Sequence, residues 1–259
     1  MTGPATSPPY LDGHGLLVGK TVLVTAAAGA GIGFATAKRC VEEGAKVVVS
    51  DTHERRLATT CEQLGESVVA AVRCDVTDEA EVQHLFATAI AATGGIDVVV
   101  NNAGLGGTAD IVDMTDEQWG RVIDVTLNGT FRCTRAALRH MNGRGIGVIV
   151  NNASVIGWRA QAGQAHYAAA KAGVMALTRC AAMEAAPFGV RVNAVAPSLA
   201  MHPFLAKTTS DELLRELTAR EAFGRAAEPW EVANVIVFLA SDYSSYLTGE
   251  VVSVSSQHP

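Results

Sequence analysis

The sequence predicts a doubly wound α/β domain in which helices cover both faces of a seven-stranded parallel sheet. From Lys20 onward, short β-branched runs alternate with longer helical stretches, a pattern typical of parallel βαβ units rather than of hairpins. Several runs are apolar at successive positions, as expected for strands that are covered on both faces. The chain has 259 residues, 49% of them hydrophobic, so it is long enough to bury one sizeable core.

The elements follow in a regular order. The predicted strands are residues 21–25, 46–50, 68–73, 97–100, 147–151, 191–195 and 251–254, and the predicted helices are 33–43, 54–65, 79–93, 115–141, 167–188 and 228–239. Right-handed crossovers between parallel strands then give three layers. Residues 1–19 are expected to form an N-terminal arm and residues 20–259 a single domain. Within that domain, residues 198–225 are an insertion with an amphipathic helix at 211–217, and we expect a lid.

Composition argues against several classes of protein. The net charge is −6 with a pI near 5.6, and the acidic residues form no block, so nucleic acid is an unexpected partner. The N-terminal residues contain neither a basic region nor an apolar run of the length of a signal peptide or a membrane span. Five widely spaced cysteines form no C-x-x-C pair and no Cys/His metal pattern. We therefore expect reduced thiols, a cytoplasmic location and no metal.

A run of small residues, TAAAGAGIG at 25–33, joins the first strand to the first helix. Gly29, Gly31 and Gly33 allow the backbone to approach a pyrophosphate closely, Ile32 is expected to contact the cofactor beside them, and a helix opens at Phe34. Free N–H groups and the partial positive charge of the helix N-terminus hold phosphates. Because a strand precedes the run and a helix follows it, the segment predicts a Rossmann-like dinucleotide site.

Acidic and amide residues follow the next three strands. Asp51 stands eighteen positions after Gly33, where a carboxylate accepts hydrogen bonds from the adenosine ribose hydroxyls and repels a 2′-phosphate. This favours NAD over NADP, although Arg55 and Arg56 could reach a phosphate unless they belong to a solvated helix start. The other predicted cofactor contacts at the carboxyl ends of strands are Asp75, Val76, Asn101 and Ala103.

Ser154, Tyr167 and Lys171 are the candidate catalytic residues. Tyr167 follows Ser154 by thirteen positions, and Lys171 follows Tyr167 by four. Side chains four apart on a helix share a face, so we expect the ammonium of Lys171 beside the phenol of Tyr167. A nearby cation lowers the pKa of a tyrosine toward the working range of an acid-base catalyst. The Ser154 hydroxyl can then hold a substrate oxygen.

With these motifs in place, the chain from Lys20 to Ser255 resembles the short-chain dehydrogenase/reductase family. The resemblance rests on the glycine loop, Asp75, the Asn101–Gly104 segment, the three candidate catalytic residues, the RVNAVAP strand exit that ends at Pro197, and the LTGE sequence at 247–250. It implies that Tyr167 is the general acid-base, that Ser154 positions the carbonyl or alcohol oxygen, and that Lys171 lowers the pKa of the tyrosine and binds the nicotinamide ribose. It further implies that Asp75 contacts the adenine and that Asn101 helps to fix that end of the cofactor.

Three positions depart from the family pattern. Ala26 stands where the family usually has glycine, and the loop carries one extra residue. Thr126 occupies the position of the usual catalytic asparagine; Asn128, two residues on, points elsewhere on a helix, whereas the Thr126 hydroxyl could hold a relay water. Ser198 follows Pro197 in place of glycine, and His202 either donates a hydrogen bond to the cofactor carboxamide or faces solvent from the lid.

The predicted substrate pocket is mostly apolar and suits a bulky hydrophobic alcohol or ketone. Its expected residues are Leu105, Val155, Trp158, Arg159, Gln161, Met201 and Phe204. Short segments such as VNNAS at 150–154 resemble those of reductases of bacterial steroid-ring catabolism that act on CoA thioesters. The same motifs occur in NADPH-dependent 3-oxoacyl carrier-protein reductases. A rival of another class is a catalytically weak nucleotide-binding regulatory or scaffold protein. Helices 115–141 and 167–188 are long enough to pack against another subunit, and the family resemblance implies a homotetramer or homodimer.

Overall fold

The computed structural model of the protein describes residues 5–201 and 211–257. Within them, seven parallel strands form one sheet in the order β3-β2-β1-β4-β5-β6-β7. The strands are β1 (Thr21–Thr25), β2 (Lys46–Asp51), β3 (Val68–Arg73), β4 (Val98–Asn101), β5 (Gly147–Asn152), β6 (Val190–Pro197) and β7 (Val251–Val254). The predicted fold class is confirmed, and the predicted strands differ from these only at their ends.

Eight α-helices lie in the described ranges. They are α1 (Ile32–Glu42), α2 (Glu54–Leu64), α3 (Glu79–Thr93), α4 (Asp116–Ile123), α5 (Gly129–Arg144), α6 (Ala165–Ala185), α7 (Asp211–Ala219) and α8 (Pro229–Ala240). The helix predicted at 115–141 is interrupted by a π-helical turn, Asp124–Asn128. Such a turn shifts the helix phase, so that the faces of α4 and α5 are not continuous.

Alternation along the strands directs side chains into two cores. Val22 and Val24 of β1 pack in the layer formed with α1 and α8, whereas Leu23 packs in the opposite layer with α3, α5 and α6. All three side chains are fully buried. Covering both faces in this way requires the continuous apolar character seen in the sequence.

The strand order reverses between β1 and β4. The chain runs from β1 outward to β2 and β3, and then returns to β4 on the other side of β1. In open α/β sheets a ligand cleft lies at such a reversal, outside the carboxyl ends of the strands. The glycine loop, Asp51 and the residues after β4 all meet at this edge.

The N-terminal arm packs against α1 from Tyr10 to Leu17. Arg39 of α1 donates to the carbonyl oxygens of Leu11 and Asp12 at 2.6 and 3.1 Å. Glu43 accepts from the backbone of His14 and Leu16 at 2.8 and 3.0 Å, and these hydrogen bonds help to lower its pKa against the opposing effect of burial. Both ionised side chains are buried and pair at 2.9 Å, so their charges are compensated.

Candidate active site

Ser154 follows β5 directly and begins a short 3₁₀ turn, Val155–Gly157. Its Oγ accepts a hydrogen bond from the backbone of Ile156 at 3.3 Å and lies 3.4 Å from the carbonyl oxygen of Pro197, at the end of β6. Because every residue of β5 pairs with β6, the hydroxyl is held at the carboxyl edge of the sheet.

Tyr167 and Lys171 lie in the first two turns of α6. The Tyr167 hydroxyl is hydrogen-bonded to the side chain of Ser154, and Nζ of Lys171 lies 5.5 Å from the centre of the tyrosine ring. Nζ also donates to the carbonyl oxygen of Asn152 at 2.6 Å. The structure thus brings together the three groups that the sequence spacing selected.

The electrostatics of the three groups differ from the sequence prediction. Burial raises the pKa of Tyr167, and the hydrogen bond from Ser154 opposes this increase. Burial also lowers the pKa of Lys171 to about 8. The tyrosine pKa is therefore raised and not lowered as the sequence predicted, because desolvation of the phenol dominates.

A cleft runs along this edge of the sheet and has two ends. The end at Ser154 and Tyr167 is a cavity of about 290 Å³ whose other walls include Ile32, Pro197 and Leu217. The opposite end is lined by residues that follow β1 to β4, including Ala26, Asp51, Asp75, Val76 and Ala103. The two ends lie on either side of the strand reversal, the position at which open α/β sheets bind dinucleotides.

The glycine loop fits a dinucleotide. No side chain caps the N-terminus of α1, so its first N–H groups can bind phosphate oxygens. Gly33 packs so tightly that a Cβ there would overlap the carbonyl oxygen of Ala26. Ala26 itself has a φ of 49°, and Gly29 has a φ of 101°, conformations that bring the backbone round toward the cleft.

Comparison with known proteins agrees with this geometry. A family model described as "Enoyl-(Acyl carrier protein) reductase" matches residues 26–256. A solved structure of a short chain dehydrogenase from Mycobacterium smegmatis superposes with a TM-score of 0.87 at 59% identity, covering 98% of this chain and 99% of that chain. This chain is a short-chain dehydrogenase/reductase.

Two curated relatives show the range within the family. One is the (5R,7aS)-5-hydroxy-7a-methyl-1-oxo-2,3,5,6,7,7a-hexahydro-1H-indene-carboxyl-CoA reductase of Mycobacterium tuberculosis, 63% identical over 98% of this chain and 99% of its own length. The other is the 3-oxoacyl-[acyl-carrier-protein] reductase of Thermotoga maritima, 40% identical over 92% of this chain and 97% of its own length. As a short-chain dehydrogenase/reductase, the protein is an oxidoreductase that acts on hydroxyl or ketone groups with a nicotinamide cofactor.

Asp51 is the last residue of β2 and lies at the end of the cleft opposite Ser154. Its carboxylate is buried and accepts from the backbone of Ala28 at 3.2 Å and of His53 at 3.0 Å. Arg56 is half exposed, with its guanidinium 4.0 Å from the carboxylate. Asp75 accepts from the backbone and the hydroxyl of Thr77 at 2.9 and 2.7 Å, which fixes its side chain at the nucleotide end of the cleft.

Asn101 is placed differently from the prediction. Its side chain is 2% exposed and donates to Thr134 and Asn151 in the interior, so it faces the core and not the cofactor end. Neighbouring Asn102, which sequence reasoning did not select, donates to the carbonyl oxygens of Thr25 and Ala26 at 3.2 and 3.1 Å. Alternation along the strand explains the exchange, because successive side chains point in opposite directions.

The predicted role of Thr126 in holding a relay water is also wrong. Its hydroxyl is fully buried, accepts from the backbone N–H of Leu105 at 2.9 Å and donates to the carbonyl of the same residue at 3.0 Å. The single hydroxyl proton is therefore used internally, and Thr126 positions the loop after β4 rather than holding a relay water. Asn128 donates to Asp124 at 3.1 Å.

The predicted substrate residues fall into several groups. Val155 and Gln161 line the cavity beside Ser154, and Leu105 lines the nucleotide end. Trp158 is 51% exposed, Arg159 donates to Gln257, and Met201 pairs through its backbone with Ala227. His202 and Phe204 lie outside the described residues.

Sequence reasoning missed other residues that line the cavity. They come from the loop after β4, from the residue before α6, from α7 and from the C-terminal segment: Thr108, Gln164, Leu213, Leu217 and Gln257. The apolar face of the amphipathic helix α7 was the available signal for the two leucines. No group of three or more potential metal ligands occurs in the described ranges, and no described helix has the length and apolar character to cross a membrane.

Proposed function

We propose that the protein catalyses NAD(H)-dependent, reversible oxidoreduction of a ring alcohol or ketone on a bulky hydrophobic substrate, a steroid-derived CoA thioester. The observation that carries the reaction type is the hydrogen bond between Tyr167 and Ser154 with Lys171 beside them. The 63% identical relative, named as an indene-carboxyl-CoA reductase, supports the substrate class.

In this mechanism Ser154 holds the substrate oxygen by a hydrogen bond. Tyr167 donates its hydroxyl proton to that oxygen during ketone reduction and accepts the proton during alcohol oxidation. Lys171 has a pKa of about 8, so its ammonium group is charged at neutral pH. It lies beside the phenol and stabilises the negative charge that develops on the phenol oxygen as the proton leaves. The nicotinamide supplies or accepts the hydride when bound.

A direct test follows NADH absorbance with panels of hydrophobic ketones and of CoA thioesters that carry a ring ketone. Tyr167→Phe should lower kcat by about 10²- to 10⁴-fold while NADH still binds. Tyr246→Phe, at a 99% exposed tyrosine, is the matched control and should be silent. Cofactor binding without turnover of any compound would favour the rival regulatory or scaffold role.

The preference for NAD rests on Asp51. A carboxylate at the end of β2 repels a 2′-phosphate, whereas a shallow groove beside it carries Arg55, Arg56 and Arg73, which supports the NADPH alternative. We expect wild type to prefer NADH and Asp51→Asn to shift the ratio of kcat/KM about tenfold toward NADPH, about 1.4 kcal/mol. Asp242→Asn, at a side chain 86% exposed, is the control. A wild-type preference for NADPH would overturn the assignment.

A homotetramer or homodimer is proposed from exposed apolar side chains on neighbouring helices. Trp119, Phe131 and Met183 are 44%, 42% and 80% exposed on α4, α5 and α6. Patches of this kind mark subunit interfaces. Light scattering after size exclusion should give a mass of two or four chains, and a monomer at micromolar concentration would contradict the proposal.

The cytoplasm is proposed as the location. All five cysteines are free thiols, three of them buried, and unpaired thiols suit a reducing compartment. Cell fractionation should recover the protein with cytoplasmic enzymes, and recovery with secreted proteins would contradict this.

A further inference from the structure

Asn152, the last residue of β5, stands between the glycine loop and the catalytic lysine. Its side-chain Nδ2 donates to Oδ1 of Asn102 at 2.9 Å. Its carbonyl oxygen accepts from Nζ of Lys171 at 2.6 Å. One residue therefore contacts both halves of the cleft, through its side chain on one side and through its backbone on the other.

Asn102 continues the connection to the glycine loop. Its Nδ2 donates to the carbonyl oxygens of Thr25 and Ala26 at 3.2 and 3.1 Å, and its backbone N–H donates to the Thr25 hydroxyl at 3.0 Å. The amide that receives the Asn152 hydrogen bond is thus the amide that fixes the first residues of the loop. A continuous hydrogen-bonded path runs from Ala26 through Asn102 and Asn152 to Lys171.

Lys171 has few other ways to be oriented. Its side chain is 3% exposed, and among the described residues the carbonyl of Asn152 is the acceptor that the structure gives to Nζ. The flexible four-carbon stem of a lysine is fixed only when its ammonium group is held. A change in the direction of the Asn152 carbonyl therefore moves Nζ relative to Tyr167.

We propose that Asn152 is a positioning residue whose side-chain amide couples the glycine loop to Lys171. The Asn152–Asn102 hydrogen bond fixes the end of β5, and with it the carbonyl that holds the ammonium group. An apolar residue at this position would fill the space but would leave Oδ1 of Asn102 without its donor. Binding of a dinucleotide at the loop is then transmitted to the general acid-base. The catalytic part of this inference rests on the proposed function.

The test uses isosteric variants. Asn152→Asp keeps the shape but cannot donate to Asn102, and Asn152→Leu removes both polar groups. With saturating NADH, both should lower kcat about tenfold, a change equivalent to one lost hydrogen bond, while the KM for the ketone stays within about twofold. The control is Asn142→Asp. Like Asn152, Asn142 has a buried amide oxygen without a hydrogen-bond partner among the described residues. It lies on α5 beside Met141, which packs against the opposite end of β5.

Two further outcomes separate coupling from a general loss of stability. Asn102→Asp can still accept from Asn152 but cannot donate to the loop, and the double variant with Asn152→Leu should be no slower than the slower single variant. Multiplication of the two single effects, or a normal kcat in Asn152→Leu, would overturn the proposal.

A readout without turnover distinguishes this proposal from failure of the proposed function. In protein labelled at lysine Cε, the NMR resonance of Lys171, assigned with Lys171→Arg, should shift in cofactor-free Asn152→Leu and Asn102→Asp. The resonance of Lys38, a surface residue on α1, should not. If the Lys171 resonance is unchanged in both variants, the coupling is absent whatever the substrate. If it shifts but wild type turns over no ketone, only the proposed reaction fails.

Discussion

The nucleotide side of the cleft is built from the ends of adjacent strands, whereas the substrate side is built from a loop, a helix and a C-terminal segment that are not adjacent strands of the sheet. The nucleotide side comprises the glycine loop and the ends of β2, β3 and β4, and its geometry depends on backbone groups and on glycines. The substrate side comprises the loop after Ser154, α7 and the C-terminal segment at 255–257.

Side chains hold the substrate side together. Glu221 is 4% exposed and accepts from Ser256 Oγ at 2.9 Å, Gln257 Nε2 at 3.1 Å and the backbone of Leu199 at 3.4 Å. Gln257 in turn accepts from Arg159. The side chains that hold the substrate side can each be changed by a single substitution, whereas the backbone path that forms the nucleotide side cannot. The same nucleotide side can therefore serve many substrates.

The largest effect is expected at Gly33. In Gly33→Ala the added Cβ overlaps the carbonyl oxygen of Ala26, so the loop must move. The dissociation constant for NADH should rise about 100-fold, equivalent to about 3 kcal/mol, and the cofactor-free protein should also melt earlier. Gly120→Ala, where a Cβ meets nothing within 4 Å, is the control. Unchanged NADH binding would show that the nucleotide side does not depend on this close packing.

Lys171 lies between the two sides, and its replacement should separate activity from stability. Its pKa is lowered to about 8 from 10.5, so the folded state disfavours the charged form. Between these two pKa values the unfolded state binds more protons, and wild-type stability rises with pH. Lys171→Met should abolish turnover yet raise the free energy of unfolding at pH 7 by up to about 3 kcal/mol.

Denaturant titrations of Lys171→Met from pH 7 to pH 10.5 provide the measurement. The advantage of the variant should be present in full below pH 8 and shrink as the pH approaches 10.5. A constant difference across this range would mean that Lys171 is not desolvated. Lys38→Met, at a lysine whose side chain is 48% exposed, should show no such dependence.

An intermediate effect confined to the substrate side is expected at Glu221. Glu221→Gln places an amide donor among three groups that already donate, which should release Gln257 and raise the KM for the ketone about tenfold, or about 1.4 kcal/mol. Fluorescence titration should give an unchanged NADH affinity. Glu212→Gln, at an exposed position of α7, is the control, and an equal loss of NADH affinity would mean that the two sides are not independent.

The smallest effect is expected at Ala26. Its φ of 49° lies in the left-handed region, which costs a residue with a Cβ about 1 kcal/mol. Ala26→Gly should therefore raise stability by about 0.5 kcal/mol after the greater entropy of the unfolded chain is included. Ala27→Gly, at a fully buried neighbour without positive φ, should lower it. Destabilisation by Ala26→Gly would show that the methyl group packs usefully.

The contrast between the two sides also explains what sequence could predict. Periodicity identified the strands, and the spacing of Tyr167 and Lys171 predicted their meeting because helix geometry fixes it locally. Ser154 lies after β5, outside that helix, and was assigned through the family resemblance. To predict that Asn102 and not Asn101 contacts the glycine loop, one must know where β4 ends. Sequence patterns locate such boundaries poorly. The contact of Glu221 with Gln257 joins residues 36 positions apart, and no local pattern encodes such a pairing.

The segment around Glu221 has a practical consequence for handling the protein. The backbone of Ala5 donates to the carbonyl of Phe223 at 2.9 Å, and Ala222 donates to Ser256 at 2.6 Å. The first and last described residues, Ala5 and Gln257, therefore converge on one short stretch beside the cleft. An affinity tag fused near either of them would be tethered close to the cavity that Gln257 lines, so kinetic work calls for tag-free protein or for a tag placed in an exposed loop elsewhere.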